Sequence, residues 1–413
     1  MRFAHLADCH IGSWRDPRLK DISTKAFVKA VDLCIKKNVD FVLIAGDLFD
    51  TSLPSIDRLK ETVEKLKELK DNDIPVYIIS GSHDFSPSGR SMLEVMEKAG
   101  LFINVAKGEQ KEDKISLNFT TDEKTGAKIT GLFGKKGALE KVYYENLIKG
   151  DIEKEQGYKI FMFHSLLSEF KPDDLKEVDS QPLSLLPKNF NYYAGGHPHF
   201  IFQKYEKDYG NICYPGPLFP NNFAEIEKLE RGGFYIVDVE ENGKTSIKWE
   251  PIQIYNIYKI FIDAENKTPE SVEEDIKEKI KGKEFNNTII TLRIEGILNS
   301  GKTSDINFKE IFDLFYSKSA YFVMKNTNKL KTKEFQEIKV ENTSVEETES
   351  KLIREHLGQL KINNLSPEKE ESIVKYLMDV LSKEKVEGET SADFEEKLIE
   401  EAKKIFETEN LNL

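Results

Sequence analysis

Cysteine, tryptophan and long apolar runs are scarce in this chain, and the scarcity of cysteine and of apolar runs each removes a class of protein. Only three cysteines occur, Cys9, Cys34 and Cys213, and no two have CxxC spacing. A disulfide framework or a thiolate zinc site is therefore not expected, and a reducing compartment fits best. The strongest apolar run, FVLIAG at 41–46, is far too short to span a bilayer. The N-terminus passes from Met1-Arg2 straight into strand-like FAHLA, with no apolar signal region. These features predict a cytoplasmic protein with no membrane association. Positive charge is also in deficit. The formal net charge of −13 excludes a protein coated in basic surface. Nucleic acid is still permitted, because bound metal ions and a local basic strip can supply the attraction. From Glu341 onward 19 acidic residues outnumber 10 basic ones, so most of the excess, −9, lies in the tail.

What is present is a strong alternation of strands and helices. The runs RFAHLA (2–7), FVLIAG (41–46) and VYIIS (76–80) read as buried strands. Between them Phe27, Val28, Val31, Leu33 and Ile35, then Ile56, Leu59, Val63, Leu66 and Leu69, recur at helical spacing. This predicts βαβ units of an α/β fold, extended by strands at 159–164 and 192–197. After about Pro251 the pattern restarts as a small α+β unit: strand, helix 268–281, strand, helix 306–318 and strand AYFVMKN. A polar stretch, NTNKLKTKEFQE (326–337), reads as linker. The tail is predicted helical. Ser366 and Pro367 open one helix with Ile373, Val374, Leu377, Met378 and Leu381 aligned, and Ser391 opens another with Phe394, Leu398, Ala402, Ile405 and Phe406 aligned. The expected domains are 1–252, 253–326, a linker at 327–342 and a helical tail at 343–413.

The chemically active residues sit where strands stop. The first strand ends in DCH (Asp8, His10), the second in GD (Asp47), the third in GSHD (Ser82, His83, Asp84). The later strands end in His164 and in GHPH (His197, His199). Each histidine alone reads more readily as a hydrogen-bonded turn residue than as a ligand. Together they border one crevice, because carboxyl ends of neighbouring strands meet in open α/β sheets. Mixed imidazole and carboxylate suit borderline first-row metals. Two such ions about 3.5–4 Å apart clamp both oxygens of a displacement at phosphorus and acidify a bridging water. Phosphoester hydrolysis is the predicted chemistry. Cys9 is expected to be a buried thiol, His5 a packing residue, and His356 has no identifiable partner.

Through DCH, GDLFD, GSHD, FHS and GHPH the sequence resembles the calcineurin-like metallophosphoesterases. Through HLADCHIG, GDLFDTSLPS and CYPGPLF running on to ERGGFYIVDV it is similar, within them, to the double-strand-break repair nucleases of the meiotic-recombination-eleven (SbcD) family. The likeness covers about residues 1–250, and the small second domain more loosely. It implies a β-sandwich flanked by helices, a DNA-facing capping domain and a helical tail. It further implies two Mn²⁺ per chain, with Mg²⁺ or another divalent ion as alternatives. Asp8, His10, Asp47 and His199 would hold one ion, and Asp47, Ser82, His164 and His197 the other. His83 would be catalytic, stabilising the transition state or protonating the leaving oxygen. Asp84 would either orient His83 or stabilise the turn. The implied activity is 3′→5′ exonuclease and single-strand endonuclease, in a homodimer whose tail docks a coiled-coil ABC ATPase. The helix at 55–71 and SMLEVMEKAG are the dimer candidates. Position 82 departs from the family's asparagine. Either the site is live and loads its second ion weakly, or the chain is a catalytically weakened scaffold. A small-substrate phosphodiesterase is the further alternative. A protein phosphatase is disfavoured, since GDLFDTS lacks that branch's arginine.

Two other motifs concern phosphate. GILNSGKT (296–303) matches the phosphate-loop pattern G-x-x-x-x-G-K-[ST] letter for letter. The surrounding unit is too small for such a sheet, the next strand ends in lysine, and the helix starts only near Asp305. The expected role is a glycine turn, with no ATP bound by this chain. Arg15, Arg18 and Lys20 in GSWRDPRLK follow His10 directly and are expected to border the cleft as DNA contacts or as ordinary solvated surface. GKKG (134–137) is a candidate of the same kind.

Overall fold

The computed structural model describes residues 1–85, 91–135, 139–333, 367–383 and 391–408. Residues 334–342 of the expected linker, the tail up to Ser366 with His356, and Lys136 and Gly137 of GKKG lie outside the described residues. Two compact units are present, Met1–Lys333 and Glu334–Leu413.

The first unit begins with β1 (Arg2–Leu6), α1 (Ile22–Lys36), β2 (Phe41–Ala45), α2 (Ile56–Asp71), β3 (Val76–Ile79), α3 (Met92–Lys98) and β4 (Ile103–Asn104). Then come β5 (Gly108–Lys111), β6 (Lys114–Leu117), β7 (Thr120–Thr121), β8 (Lys128–Gly131), α4 (Lys141–Glu145), α5 (Gly150–Lys154) and β9 (Lys159–His164). They are followed by β10 (Tyr192–Gly196), β11 (Phe202–Glu206), β12 (Gly210–Tyr214), α6 (Phe223–Leu229), β13 (Gly232–Val239) and β14 (Thr245–Ile252). One six-stranded sheet runs β14-β13-β1-β2-β3-β4 and the other β11-β12-β10-β9-β8-β7.

The apolar runs are continuous because both faces of each strand are covered. On β2, Phe41, Leu43 and Ala45 pack between the sheets against Ile160, Met162, Tyr192 and Ala194, while Val42 and Ile44 face the helical layer with Phe27, Val31 and Leu66. Each large side chain so buried contributes about 2 kcal/mol. The expected metallophosphoesterase β-sandwich flanked by helices is what forms. His5 is buried in it, with Nδ1 2.9 Å from the Tyr192 hydroxyl. Burial lowers its pKa to about 3, so the ring is neutral. The short strands β4–β8 escaped the periodicity because two to four residues are too few to show alternation.

The small sheet comprises β15 (Asn256–Asp263), α7 (Pro269–Ile280), β16 (Thr288–Leu298), α8 (Phe308–Ser317), β17 (Phe322–Asn326) and β18 (Leu330–Thr332). It has its own core around Ile260, Ile276, Leu292, Ile311 and Phe315. β18 corrects the linker reading at 327–342. The long β16 pairs with β17 over Ile289–Arg293 and leaves Gly296–Leu298 open, and β18 pairs there in parallel. In the second unit the helices Pro367–Leu381 and Ser391–Thr408 join through Tyr376 Oη donating to the Glu401 carbonyl (3.4 Å) and a Lys383–Glu401 ion pair. Among the described residues no helix is long and apolar enough to cross a membrane.

Candidate metal centre

The loops after the parallel strands are stitched together before any side chain is considered. Asp8 N donates to Gly46 O at 3.1 Å and His10 N to Asp47 O at 3.0 Å. Asp8, His10, Asp47 and His197 all adopt positive φ (50°, 41°, 52° and 95°). That conformation costs a non-glycine residue about 1 kcal/mol or more, and such strain clusters at functional sites. Two glycines permit the close approach. A Cβ on Gly46 (φ 87°) would lie 2.2 Å from His164 Nδ1, and one on Gly81 would lie 2.2 Å from Asp47 Oδ1.

The result is a buried knot of donors. His10 Nε2 lies 3.0 Å from His199 Nε2 and 3.7 Å from Asp47 Oδ2. His164 Nε2 lies 3.1 Å from the same Asp47 oxygen, and His199 Nε2 is 3.8 Å from Asp8 Oδ1. Asp47 thus stands between His10 and His164. Asp8, His10 and His199 form one set, and Asp8, Asp47 and His164 another, with ligand atoms within 4.8 Å of one another in each. His197 stands beside them: its backbone N–H reaches both Asp8 oxygens (2.9 and 3.1 Å), and its ring is 5.3 Å from that of His164. Ser82 is buried and donates its hydroxyl to Asp47 Oδ2 at 3.3 Å. His83 N donates to Asp47 Oδ1 at 2.7 Å.

The imidazoles are aimed from behind. His164 Nδ1 bonds the Ala45 carbonyl and His83 Nδ1 the Asp50 carbonyl, both at 2.8 Å. A carbonyl only accepts, so both rings carry a proton on Nδ1 and turn Nε2 toward the centre. His199 Nδ1 meets Glu225 Oε1 at 3.0 Å, and His10 Nδ1 approaches Asp50 Oδ1 at 3.3 Å. Asp50 and Glu225 were not singled out from the sequence. Asp50 lies inside the GDLFD motif, while Glu225 carries only the Asn222-x-x-Glu225 spacing of a helix cap. Asp84 accepts from Leu48 N, Phe49 N and Gly81 N at 3.0–3.1 Å, which makes it the turn stabiliser.

Electrostatics show how unbalanced the cluster is without cations. Burial opposes charge on His164 and His199. Asp47 nevertheless holds the His164 ring protonated up to about 10, and Glu225 and Asp8 hold His199 up to about 9. Burial and the His164 charge push His197 down to about 3. Asp47 is driven well below the carboxylate range by His164 and His10 despite its burial. Burial and the Asp47 charge raise Asp84 to about 6. Protons here occupy places suited to cations, and the Nε2 atoms and carboxylates, once those protons leave, fit divalent metal.

Residues 1–200 match the calcineurin-like phosphoesterase family. The DNA double-strand break repair protein Mre11 of Methanocaldococcus jannaschii is 31% identical over 303 residues, covering 70% of this chain and 72% of the relative. The chain belongs to the Mre11 family. Its counterpart in Archaeoglobus fulgidus is 29% identical over 376 residues, covering 87% of this chain and 82% of the relative. That of Methanopyrus kandleri is 28% identical over 269 residues, covering 61% and 57%. This Mre11-family chain is a metal-dependent phosphodiesterase.

Its donors open onto two cavities. One of about 610 Å³ is lined by His10, Asp47, Ser82, His83, His197 and His199, among others. The second, of about 460 Å³, shares Ser82, His83 and His197. Neither is lined by Arg15, Arg18 or Lys20. Arg18 instead turns to the small domain, bonding Tyr316 Oη at 2.7 Å and stacking 4.4 Å from the Phe322 ring centroid. Its carbonyl accepts from the Tyr321 hydroxyl. That corrects the expectation that Arg18 borders the cleft: its guanidinium, still half exposed, lies against two rings of the small domain instead. Arg15 and Lys20 are exposed.

Proposed function

We propose that this chain is a Mn²⁺-dependent DNA nuclease of double-strand-break repair, acting as a 3′→5′ exonuclease and single-strand endonuclease. The observation that carries the proposal is the convergence of five strand ends on one donor knot in a chain 31% identical to an Mre11. Asp8, His10, Asp47 and His199 would hold one ion, and Asp47, Ser82, His164 and His197 the second, with Asp47 shared. Bound there, the ions would polarise the phosphoryl oxygens and supply hydroxide at neutral pH. The protein's part is orientation. Carbonyls and carboxylates behind His10, His83, His164 and His199 hold those rings toward the centre, and the N–H groups of His83 and His197 fix the Asp47 and Asp8 carboxylates. His83, with Nδ1 held by the Asp50 carbonyl, presents Nε2, which in the doubly protonated ring would give its proton to the leaving oxygen and leave the neutral Nδ1–H imidazole.

The 253–326 domain is read as the DNA-facing cap, and the tail helices as the dock for a coiled-coil ABC ATPase. Ile56 (82% exposed), Leu53 (67%) and Val95 (60%) near α2 and α3 support a homodimer through those helices. Ser82 favours one second reading, a catalytically weakened scaffold, because its hydroxyl is engaged by Asp47.

Labelled duplex and single-stranded DNA incubated with Mn²⁺ or Mg²⁺, alongside His83→Ala, test the reading. Cleavage that needs Mn²⁺ and fails in His83→Ala while metal binding persists is expected. Hydrolysis of small diesters with DNA left intact would replace it by a small-substrate phosphodiesterase. ATPase binding with no hydrolysis at all would leave the scaffold.

A further inference from the structure

The second cavity leads away from the donor knot, and its far wall carries Lys135. This ammonium is half-buried, and among the described residues no carboxylate pairs with it. It donates to Tyr143 Oη at 2.6 Å and lies 4.4, 5.0 and 5.4 Å from the ring centroids of Tyr143, Phe85 and Phe133. An aromatic cage holds a cation in place without neutralising it. Among the described residues, two of the three ammonium hydrogens have no hydrogen-bond partner.

The loop under Lys135 is locked to the reaction centre. Gly134 N donates to Ser80 O at 2.9 Å. A Cβ at Gly134 would lie 2.6 Å from His164 Cδ2, so the loop backbone lies directly on a candidate metal ligand. Buried Glu140 accepts from Lys135 N at 3.1 Å, which turns that carboxylate to the backbone rather than to the ammonium. Glu177 and Asp179 stand exposed at the rim, where solvent and salt screen them.

We propose that this cavity receives the strand flanking the scissile phosphodiester, and that Lys135 binds the next phosphate along. The proposal rests on the nuclease reading and extends it to a binding residue. Lys135 is a positioning residue for the strand; it does not act on the reacting phosphorus.

The test uses the full chain with Mn²⁺ and two substrates: a labelled single-stranded oligonucleotide and bis(p-nitrophenyl) phosphate, a diester with no flanking phosphate. In Lys135→Met, KM for the oligonucleotide should rise about tenfold with kcat little changed, and its log–log salt slope should become shallower by about 0.7. The oligonucleotide rate should fall about tenfold relative to the small-diester rate, and Lys135→Arg should restore most of it. Equal losses on both substrates, a loss confined to kcat, or an unaltered KM or salt slope would overturn the proposal. Small-diester turnover also reports whether each variant has folded. Wild-type protein that hydrolyses the small diester but leaves DNA intact would sink the nuclease reading itself. Wild-type DNA cleavage that Lys135→Met matches would sink only this subsite.

Discussion

The loops after β2 and β3 and the loop after β16 share one pattern: a strand, a glycine in or beside its end, then chemically active side chains. In the first pair, Gly46 and Gly81 bring backbone against His164 and Asp47, and three further strand ends supply partners. In the other, Gly296 (φ 118°) passes over the Glu265 backbone and Lys302 N is tied to Asp305 Oδ2 at 2.7 Å. The neighbouring β17 offers only Lys325, stacked 4.1 Å from the Phe308 ring. The letter-perfect phosphate-loop string is the paired end of β16 and the bend after it, whereas the looser strand-end motifs build a centre. A motif acquires chemistry when other chain segments meet it.

That contrast can be broken at its strongest point with Asp47→Ala. Loss of the shared carboxylate should lower Mn²⁺-dependent hydrolysis about a thousandfold or more, equivalent to several kcal/mol of electrostatic stabilisation. Retention of even a tenth of the activity would mean that the strand ends do not act as one site.

Proton–metal competition is the next largest effect. His164 and His199 hold protons up to about 10 and about 9 in the metal-free site. Below pH 9 a cation must expel both, so affinity falls with falling pH by up to about tenfold per proton per pH unit. Mn²⁺ titration calorimetry in buffers of different ionisation enthalpy should show proton release at pH 7. Binding with no proton release would contradict the assignment of those rings as ligands.

A matched glycine pair sharpens the comparison. Gly81→Ala should cost about 1–3 kcal/mol through the clash with Asp47 and about a hundredfold in turnover, since small displacements of reacting groups are that costly. Gly301→Ala (φ 77°) should cost about 1–2 kcal/mol of stability while leaving turnover intact. Thermal melts and rates measured together separate the two loops.

Ser82→Asn should give a smaller change, a several-fold gain at limiting Mn²⁺ that fades at saturation, because the amide oxygen reaches further than the hydroxyl. No change in metal affinity or rate would count against weak loading. Smallest of all is Lys302→Ala, expected within about 0.5 kcal/mol of wild type and without effect on metal-dependent cleavage. Saturable ATP binding lost in that variant would restore the nucleotide-loop reading.

Much of the site was legible because strand ends are legible. Asp8, His10, Asp47, Ser82, His83, His164, His197 and His199 each follow an apolar run at a glycine, polar or charged break, and parallel strands carry such breaks to one edge. Glu225 was hidden because its local spacing is that of a helix cap, and only the approach of His199 reveals its second task. Arg18 misled because proximity to His10 in sequence says nothing of direction, and Tyr316 and Phe322, some three hundred residues later, decide it. β18 was hidden because three residues cannot show a period and a polar composition looks like linker.

By itself, then, the sequence determined the layered α/β architecture and the kinds of donor at each strand end, since hydropathy period and residue chemistry are local properties. Tertiary structure alone decided which nitrogen of His83, His164 and His199 faces the centre, that Asp47 stands between His10 and His164, that Lys135 sits caged beside the centre, and that GILNSGKT is the end of β16 and the bend after it. Those are outcomes of packing between segments far apart in the chain, and no local pattern encodes where another segment will lie.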